Sequence, residues 1–269
     1  MVKLGSIGAA SSALSSGDAS AAAATALEVE ELGYDTLWLP GGQGNNLAQV
    51  VNVVRATSRI TVATGILPVD QVPAAEVAEV YAALAESHPG RFVPGLGGAH
   101  GAKPLATLNA YLDELDPVVP ASARVLSALG PKMLELARDR AAGAYPFLVT
   151  PEYVASARAL VGPHTRLAVL LTVVAEADST RAREIVRGGS LQFLSGVPGY
   201  AANFRRMGFT ESDVANLSDR LVDGVTVWGD LDTVIRRLSE YRAAGADQVV
   251  VGLDGLPREW WAVLAKELR

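Results

Sequence analysis

The chain has no cysteine, and that absence removes disulfides, thiolate nucleophiles and thiolate metal sites together. Its histidines number only three, His88, His100 and His164, and none stands in a metal-ligand spacing such as H-x-x-x-H. A metal enzyme is therefore not expected. Charge is scarce as well, with 19% Asp, Glu, Lys and Arg and a formal net charge of -6. No cluster of Lys and Arg interleaved with aromatics exists to track a phosphate backbone, so nucleic acid is not an expected partner. Long hydrophobic runs are missing too. The longest, Leu167 to Ala175, falls well short of the ~20 residues that span a bilayer. The N-terminus lacks the basic region and apolar core of a secretory signal. A cytoplasmic protein without a membrane partner is the expectation.

What is present is a 49% hydrophobic fraction distributed over 269 residues in short runs punctuated by Gly, Pro and charge. Runs of that kind read as strands buried on both faces. The strand candidates are Lys3 to Gly8, Thr36 to Leu39, Ile60 to Leu67, Arg91 to Leu96, Arg124 to Ala128, Tyr145 to Val149, Arg166 to Val174 and Val249 to Leu253. Helical patterns alternate with them. Asp18 is placed to cap a helix that Gly33 stops, and Asp230 to cap one that ends at Gly245. Between Asp178 and about Thr226 a helical pattern broken by Gly188-Gly189, Val197-Pro198-Gly199 and Gly208 predicts several helices, an elaborated connection after the seventh strand. Eight strands each followed by a helix predict an α/β fold, a (β/α)8 TIM barrel formed by residues 1–269 as one domain. An open doubly wound sheet is the other arrangement, but Gly5 and Gly8 do not supply the G-x-G-x-x-G spacing after the first strand.

In a barrel the chemistry lies at the carboxyl ends of the strands. Here those ends are mostly small, apolar or uncharged, which suits a flat aromatic ligand. They carry no carboxylate pair, no G-x-S-x-G elbow and no lysine other than Lys132. A cofactor that brings its own reactivity fits such a lining. The junction Ser127-Ala-Leu-Gly-Pro-Lys132 hands a strand directly to a helix, with Pro131 suited to the first helical position and Gly130 open to close approach. The N–H groups of such a helix start have no intrahelical acceptor and can hold a phosphate.

Several segments in order, Leu32-Gly-Tyr-Asp-Thr-Leu-Trp38, Arg59-Ile-Thr-Val-Ala-Thr-Gly-Ile66, Pro89-Gly-Arg-Phe92 and Gly130-Pro-Lys-Met-Leu-Glu-Leu-Ala137, resemble the bacterial luciferase-like monooxygenase superfamily. The pattern is most similar to its coenzyme F420-dependent branch, common in actinobacteria, and a composition rich in Ala and in Arg over Lys is in keeping with that. The resemblance implies an oxidoreductase that binds F420, or FMN as in sister families, and a small-molecule substrate; a homodimer is common in the family. It implies a bulge at the end of the third strand, often with a non-proline cis peptide, which would fall at Thr64, Gly65 and Ile66 and back the ring, with Gly97 and Gly98 nearby. It also implies a phosphate held at Ala128, Leu129, Gly130 and Pro131, with Lys132 as an optional counter-charge. Where many relatives carry a histidine after the second strand, this chain has Pro40-Gly41-Gly42-Gln43, which counts against alcohol oxidation and leaves a barrel without catalysis as a third reading. His100 is the histidine placed at the mouth, and its ordinary pKa near 6.5 suits proton transfer. Trp38 and Trp228 are expected to pack in the core. Tyr200, Asn203, Phe204 and Phe209 either cover the cofactor or hold the elaborated connection down.

Overall fold

The computed structural model describes residues 2–41, 44–99 and 101–269. Its sheet is entirely parallel. The barrel strands are Ile7–Ala10, Thr36–Pro40, Thr61–Gly65 continuing as Leu67–Pro68, Phe92–Val93 continuing as Gly95–Gly97, Val125–Leu126, Gly143–Ala144, Arg166–Leu171 and Gln248–Gly252. Each pairs with the next, and the eighth returns to the first through Ile7↔Val249. The third and fourth are joined on both sides of their interruptions, by Val62↔Phe92 and by Leu67↔Leu96. The circle is thus closed, as the alternating pattern predicts.

The sixth strand is the main departure from the sequence reading, which places it at Tyr145 to Val149. It lies earlier, at Gly143–Ala144. Pro146 has no N–H to give a ladder, so regular pairing stops after Tyr145 N–H donates to Leu126 O at 2.8 Å. Only an isolated bridge, Phe147↔Leu170, continues it.

The barrel interior is filled by Leu4, Ala10, Trp38, Ala63, Val93, Val125, Tyr145, Ala168 and Val250, so it is a packed core and not a channel. Trp38 stacks on Tyr145 with centroids 4.0 Å apart and planes 9° apart. Its Nε1–H donates to Gln248 Oε1 at 2.9 Å, which confirms the core role expected for it. A second, larger shell lies between the sheet and the surrounding helices.

The elaborated connection resolves into Ser179–Arg187, Ser190–Ser195, Pro198–Arg206, Glu211–Ala215 and Asp219–Val225. After them Val227–Trp228 pairs with Val173–Val174, an extension of the seventh strand. Trp228 is half-buried, its Nε1–H donating to Asp223 at 3.0 Å and its ring lying under Arg183.

Glu30, on the first helix (Ala19–Leu32), anchors the entrance to the third strand. It is 4% exposed and accepts backbone N–H bonds from Ser58, Arg59 and Ile60 at 2.7–3.0 Å. Burial alone raises the pKa of its carboxyl, but these bonds and the Arg59 charge outweigh burial and lower it. A carboxyl depressed in the folded state contributes stability above its unfolded pKa of about 4.3, which disappears as pH falls through the folded value. Glu30→Gln is therefore expected to lose about 2 kcal/mol in urea denaturation at pH 7, with the gap to the parent closing as the pH is taken below about 4.

Candidate active site

The site begins with a miscount between two strands. Thr64, Gly65 and Ile66 on the third strand face only Pro94 and Gly95 on the fourth, because pairing passes from Ala63↔Val93 to Leu67↔Leu96. One extra residue makes a β-bulge, which bends a strand and turns its backbone toward the barrel mouth. The Gly65-Ile66 peptide is cis. The bulge thus lies where the family resemblance locates it.

Breaking the ladder would strand buried backbone groups. Thr64, fully buried, prevents this. Its hydroxyl accepts from Gly95 N–H at 2.8 Å and donates to Gly95 O at 2.9 Å, doing the work of the missing strand partner. The approach is so close that a Cβ on residue 95 would lie 1.9 Å from Thr64 O. On the other side, Gly65 O accepts from Gly41 N–H at 3.2 Å, tying the loop after the second strand to the bulge.

Tyr145 rises from the interior to meet this floor. Its hydroxyl is 2.9 Å from where a Gly65 Cβ would sit, and it is buried without a hydrogen-bond partner. Burial, with Tyr200 nearby, pushes its pKa well above the ordinary value, so it stays a neutral donor. Charge at the rim is tied up: Asp254, after the eighth strand, accepts from the Ser11 hydroxyl at 2.7 Å and from Ser12 N–H. The floor is accordingly uncharged, with an unsatisfied polar atom at its edge.

Gly97 joins the bulge to a second feature. A Cβ there would come 3.3 Å from Ile66 and 2.7 Å from Ser127, so the fourth strand end touches both the bulge and the turn after the fifth strand. In that turn Gly130 precedes the helix Pro131–Arg140, and no side chain caps it. Tyr153, from the helix Pro151–Val161, donates to Leu129 O at 2.8 Å and lies 3.3 Å from Ala128 O, fixing the turn. Arg206 reaches over from the elaborated connection, its Nη2 3.4 Å from where a Gly130 Cβ would be. Its Nη1 donates to Asn203 Oδ1 at 3.2 Å. No ion pair holds Arg206 among the described residues. Asn203 is fully buried and its amide nitrogen has no partner. Arg206 and Asn203 line a cavity of about 600 Å³ with Leu129, Pro131, Glu152 and Tyr153.

Thr64, Gly65, Ile66 and Gly97 are thus assembled at the bulge, with Gly98 following at φ 74°. Ala128, Leu129, Gly130 and Pro131 form the neighbouring turn. Lys132 is exposed on the helix. His100 lies outside the described residues, as do Gly42 and Gln43. Of the residues singled out in the connection, Phe204 and Phe209 enter a buried cluster with Leu148, Leu221 and Val225 that holds the segment down. Tyr200 packs edge-on against Phe147 at the sixth strand end. The sequence reading misses Tyr145, Tyr153 and Arg206. Arg206 was within reach, since three residues after Asn203 is one helical turn on the same face.

The comparisons with known proteins bear on the fold. Residues 4–117 match the family model described as luciferase-like monooxygenase, which bears out the resemblance carried by the first three of the sequence segments. No curated protein sequence matches this chain. Among solved structures, the coenzyme F420-dependent tetrahydromethanopterin reductase of Methanopyrus kandleri superposes with a TM-score of 0.70 at 16% identity, covering 98% of this chain and 97% of that one. An F420-dependent secondary alcohol dehydrogenase in complex with an F420-acetone adduct gives 0.70 at 15%, covering 100% and 98%. The FMN-bound oxygenating constituent of 3,6-diketocamphane monooxygenase from Pseudomonas putida gives 0.66 at 12%, covering 91% of each chain. At such identities the superpositions establish a shared α/β TIM-barrel fold.

Thr64→Val keeps the shape of the side chain and removes the hydroxyl, leaving Gly95 N–H and C=O buried without partners. The expected loss is about 3 kcal/mol in chemical denaturation, against a much smaller loss for Thr64→Ser, which keeps both bonds.

Proposed function

We propose that this luciferase-like barrel, residues 1–269 as a single domain, is a cytoplasmic oxidoreductase that moves a hydride between coenzyme F420 and a small organic substrate. The observation that carries the reading is the pairing of an uncharged bulge at Gly65 with an anion-ready turn at Gly130, joined through Gly97. A flat ring and its phosphate need those two surfaces at neighbouring strand ends. The fold neighbours named for F420 support the choice of cofactor.

A bound deazaflavin would supply the hydride chemistry. The chain supplies the rest. Gly65 and Ile66 present a surface without side-chain charge, and Gly97 and Gly98 extend it. Tyr145 offers its unpartnered hydroxyl as a hydrogen-bond donor at the edge of that surface, stiffened by its stack on Trp38. Tyr200 and Phe147, packed edge to face at the sixth strand end, would shield that side of the ring from water. The turn from Ala128 to Pro131 receives the phosphate. His100 is the group assigned to exchange a proton with the substrate.

Titration of the purified protein with F420, followed by fluorescence, is expected to show saturable binding. Gly65→Val, which crowds the Tyr145 hydroxyl, is expected to weaken binding at least about tenfold, or 1.4 kcal/mol, with the circular dichroism unchanged. His100→Ala is expected to lower turnover about 100-fold at unaltered F420 affinity. Saturable FMN binding without any for F420 would replace this reading with an FMN-dependent monooxygenase, the case to which the FMN-bound neighbour corresponds.

A further inference from the structure

The cavity of about 600 Å³ belongs to the helical layer and not to the barrel mouth. Its lining runs down the helices Pro131–Arg140 and Pro151–Val161, through Leu134 on one and Ser156, Ala157 and Leu160 on the other. The elaborated connection closes it with Met207 and Phe209. Neither the bulge residues Thr64, Gly65 and Ile66 nor Gly97, Ala128 and Gly130 line it. It is thus a second space, apart from the two surfaces assigned to the cofactor, and of a volume typical of small-molecule sites.

Its wall is mostly apolar, so a ligand gains about fourfold in affinity for each methylene it buries there. Three charged side chains stand among the apolar ones. Arg220 is spent: it pairs with Asp213 at 3.0 Å, donates to Gly208 O at 3.1 Å and lies over Phe209. Arg206 has no ion pair among the described residues. Its Nη1 donates to Asn203 Oδ1 at 3.2 Å, and the full burial of Asn203 fixes that end of the fork. The other guanidinium nitrogens keep their donors. Glu152 has its carboxyl held below the usual range by its own backbone N–H and by the Thr150 hydroxyl. It is ionised at neutral pH and has lone pairs to spare.

The free charges of the wall therefore cancel in sum but not in place. Arg206 stands on the helix Pro198–Arg206 and Glu152 on the helix Pro151–Val161, and no ion pair joins them among the described residues. A ligand with net charge of either sign gains nothing from such a wall as a whole. One that carries both charges on an apolar body meets a partner for each.

We propose that this cavity binds a zwitterion with an apolar side chain, an aliphatic α-amino acid, with its carboxylate on Arg206, its ammonium on Glu152 and its side chain against Leu134, Leu160 and Met207. The site goes beyond the oxidoreductase reading and does not rest on it. Both charged partners are exposed, so each contact contributes modestly and the apolar wall supplies the rest.

The test uses L-leucine and two analogues that each lack one charge, 4-methylpentanoate without the ammonium and 3-methylbutylamine without the carboxylate. Binding to the full chain at pH 7 is followed by saturation-transfer NMR of the ligand methyl groups. Leucine is expected to bind about fivefold more tightly than either analogue, the scale of one exposed ion pair, and about tenfold more tightly than L-alanine. Arg206→Ala is expected to bring leucine down to the level of 3-methylbutylamine, whose own affinity stays unchanged. Glu152→Gln is expected to bring it down to the level of 4-methylpentanoate in the same way. Ser156→Phe fills the cavity from an exposed helix position and is expected to abolish leucine binding with the circular dichroism unchanged. Equal binding of leucine and its analogues, indifference to Arg206→Ala and Glu152→Gln, binding that survives Ser156→Phe, or no saturable leucine binding would each overturn the proposal. No probe carries a ring or a phosphate. F420 binding with silent leucine therefore removes this proposal and leaves the proposed function standing; leucine binding without F420 binding does the reverse.

Discussion

The hydroxyl of Thr64 is the small interaction on which the mouth of the barrel depends. A bulge in a central, fully buried pair of strands is unfavourable unless the interrupted backbone groups find other partners. One side chain with a donor and an acceptor on a single oxygen serves both Gly95 groups at once. Threonine does this at little cost to the sheet, since its branched Cβ favours extended backbone. With the ladder satisfied, Gly65 and Ile66 are free to form the floor of the mouth instead of another rung.

The second constraint is that the elaborated connection must be rigid to contribute to a site. It is anchored by apolar burial, with Phe204, Phe209, Leu221 and Val222 packed against Leu148. It is also anchored by ion pairs: Arg183 holds Asp219 and Asp223 at 3.0 and 2.6 Å, and Arg187 binds Asp219. Exposed pairs of this kind contribute little singly. Joined around Trp228 and the short pairing of Val227–Trp228 with Val173–Val174, they fix the segment to the end of the seventh strand. The helix carrying Asn203 and Arg206 is therefore held in place by the fold.

Much of the fold was legible because it rests on local rules. Alternating apolar runs and helical stripes announced eight β/α units, Asp18 and Asp230 announced their caps, and both cap as expected. The position of the bulge was legible through resemblance, since the Arg59 to Ile66 segment pointed to it. The sixth strand was misplaced because Gly143 looks like a breaker in one dimension. In the barrel it lets two strands approach: a Cβ there would lie 2.5 Å from Arg166 O.

Sequence alone thus determined the order of the elements, the shortage of charge at the strand ends and the glycines that permit a bulge and an open helix start. These follow from periodicity and backbone sterics, which act over a few residues. Only the tertiary structure decided which side chains meet. Tyr145 reaches Gly65 across 80 residues, and Arg206 reaches Gly130 across 76. Glu30 holds the N–H groups of Ser58 to Ile60 from another helix. Closing a sheet into a cylinder creates such neighbours at distances along the chain where no local pattern survives. Whether a polar group there is satisfied or left waiting for a ligand depends on packing around it in three dimensions.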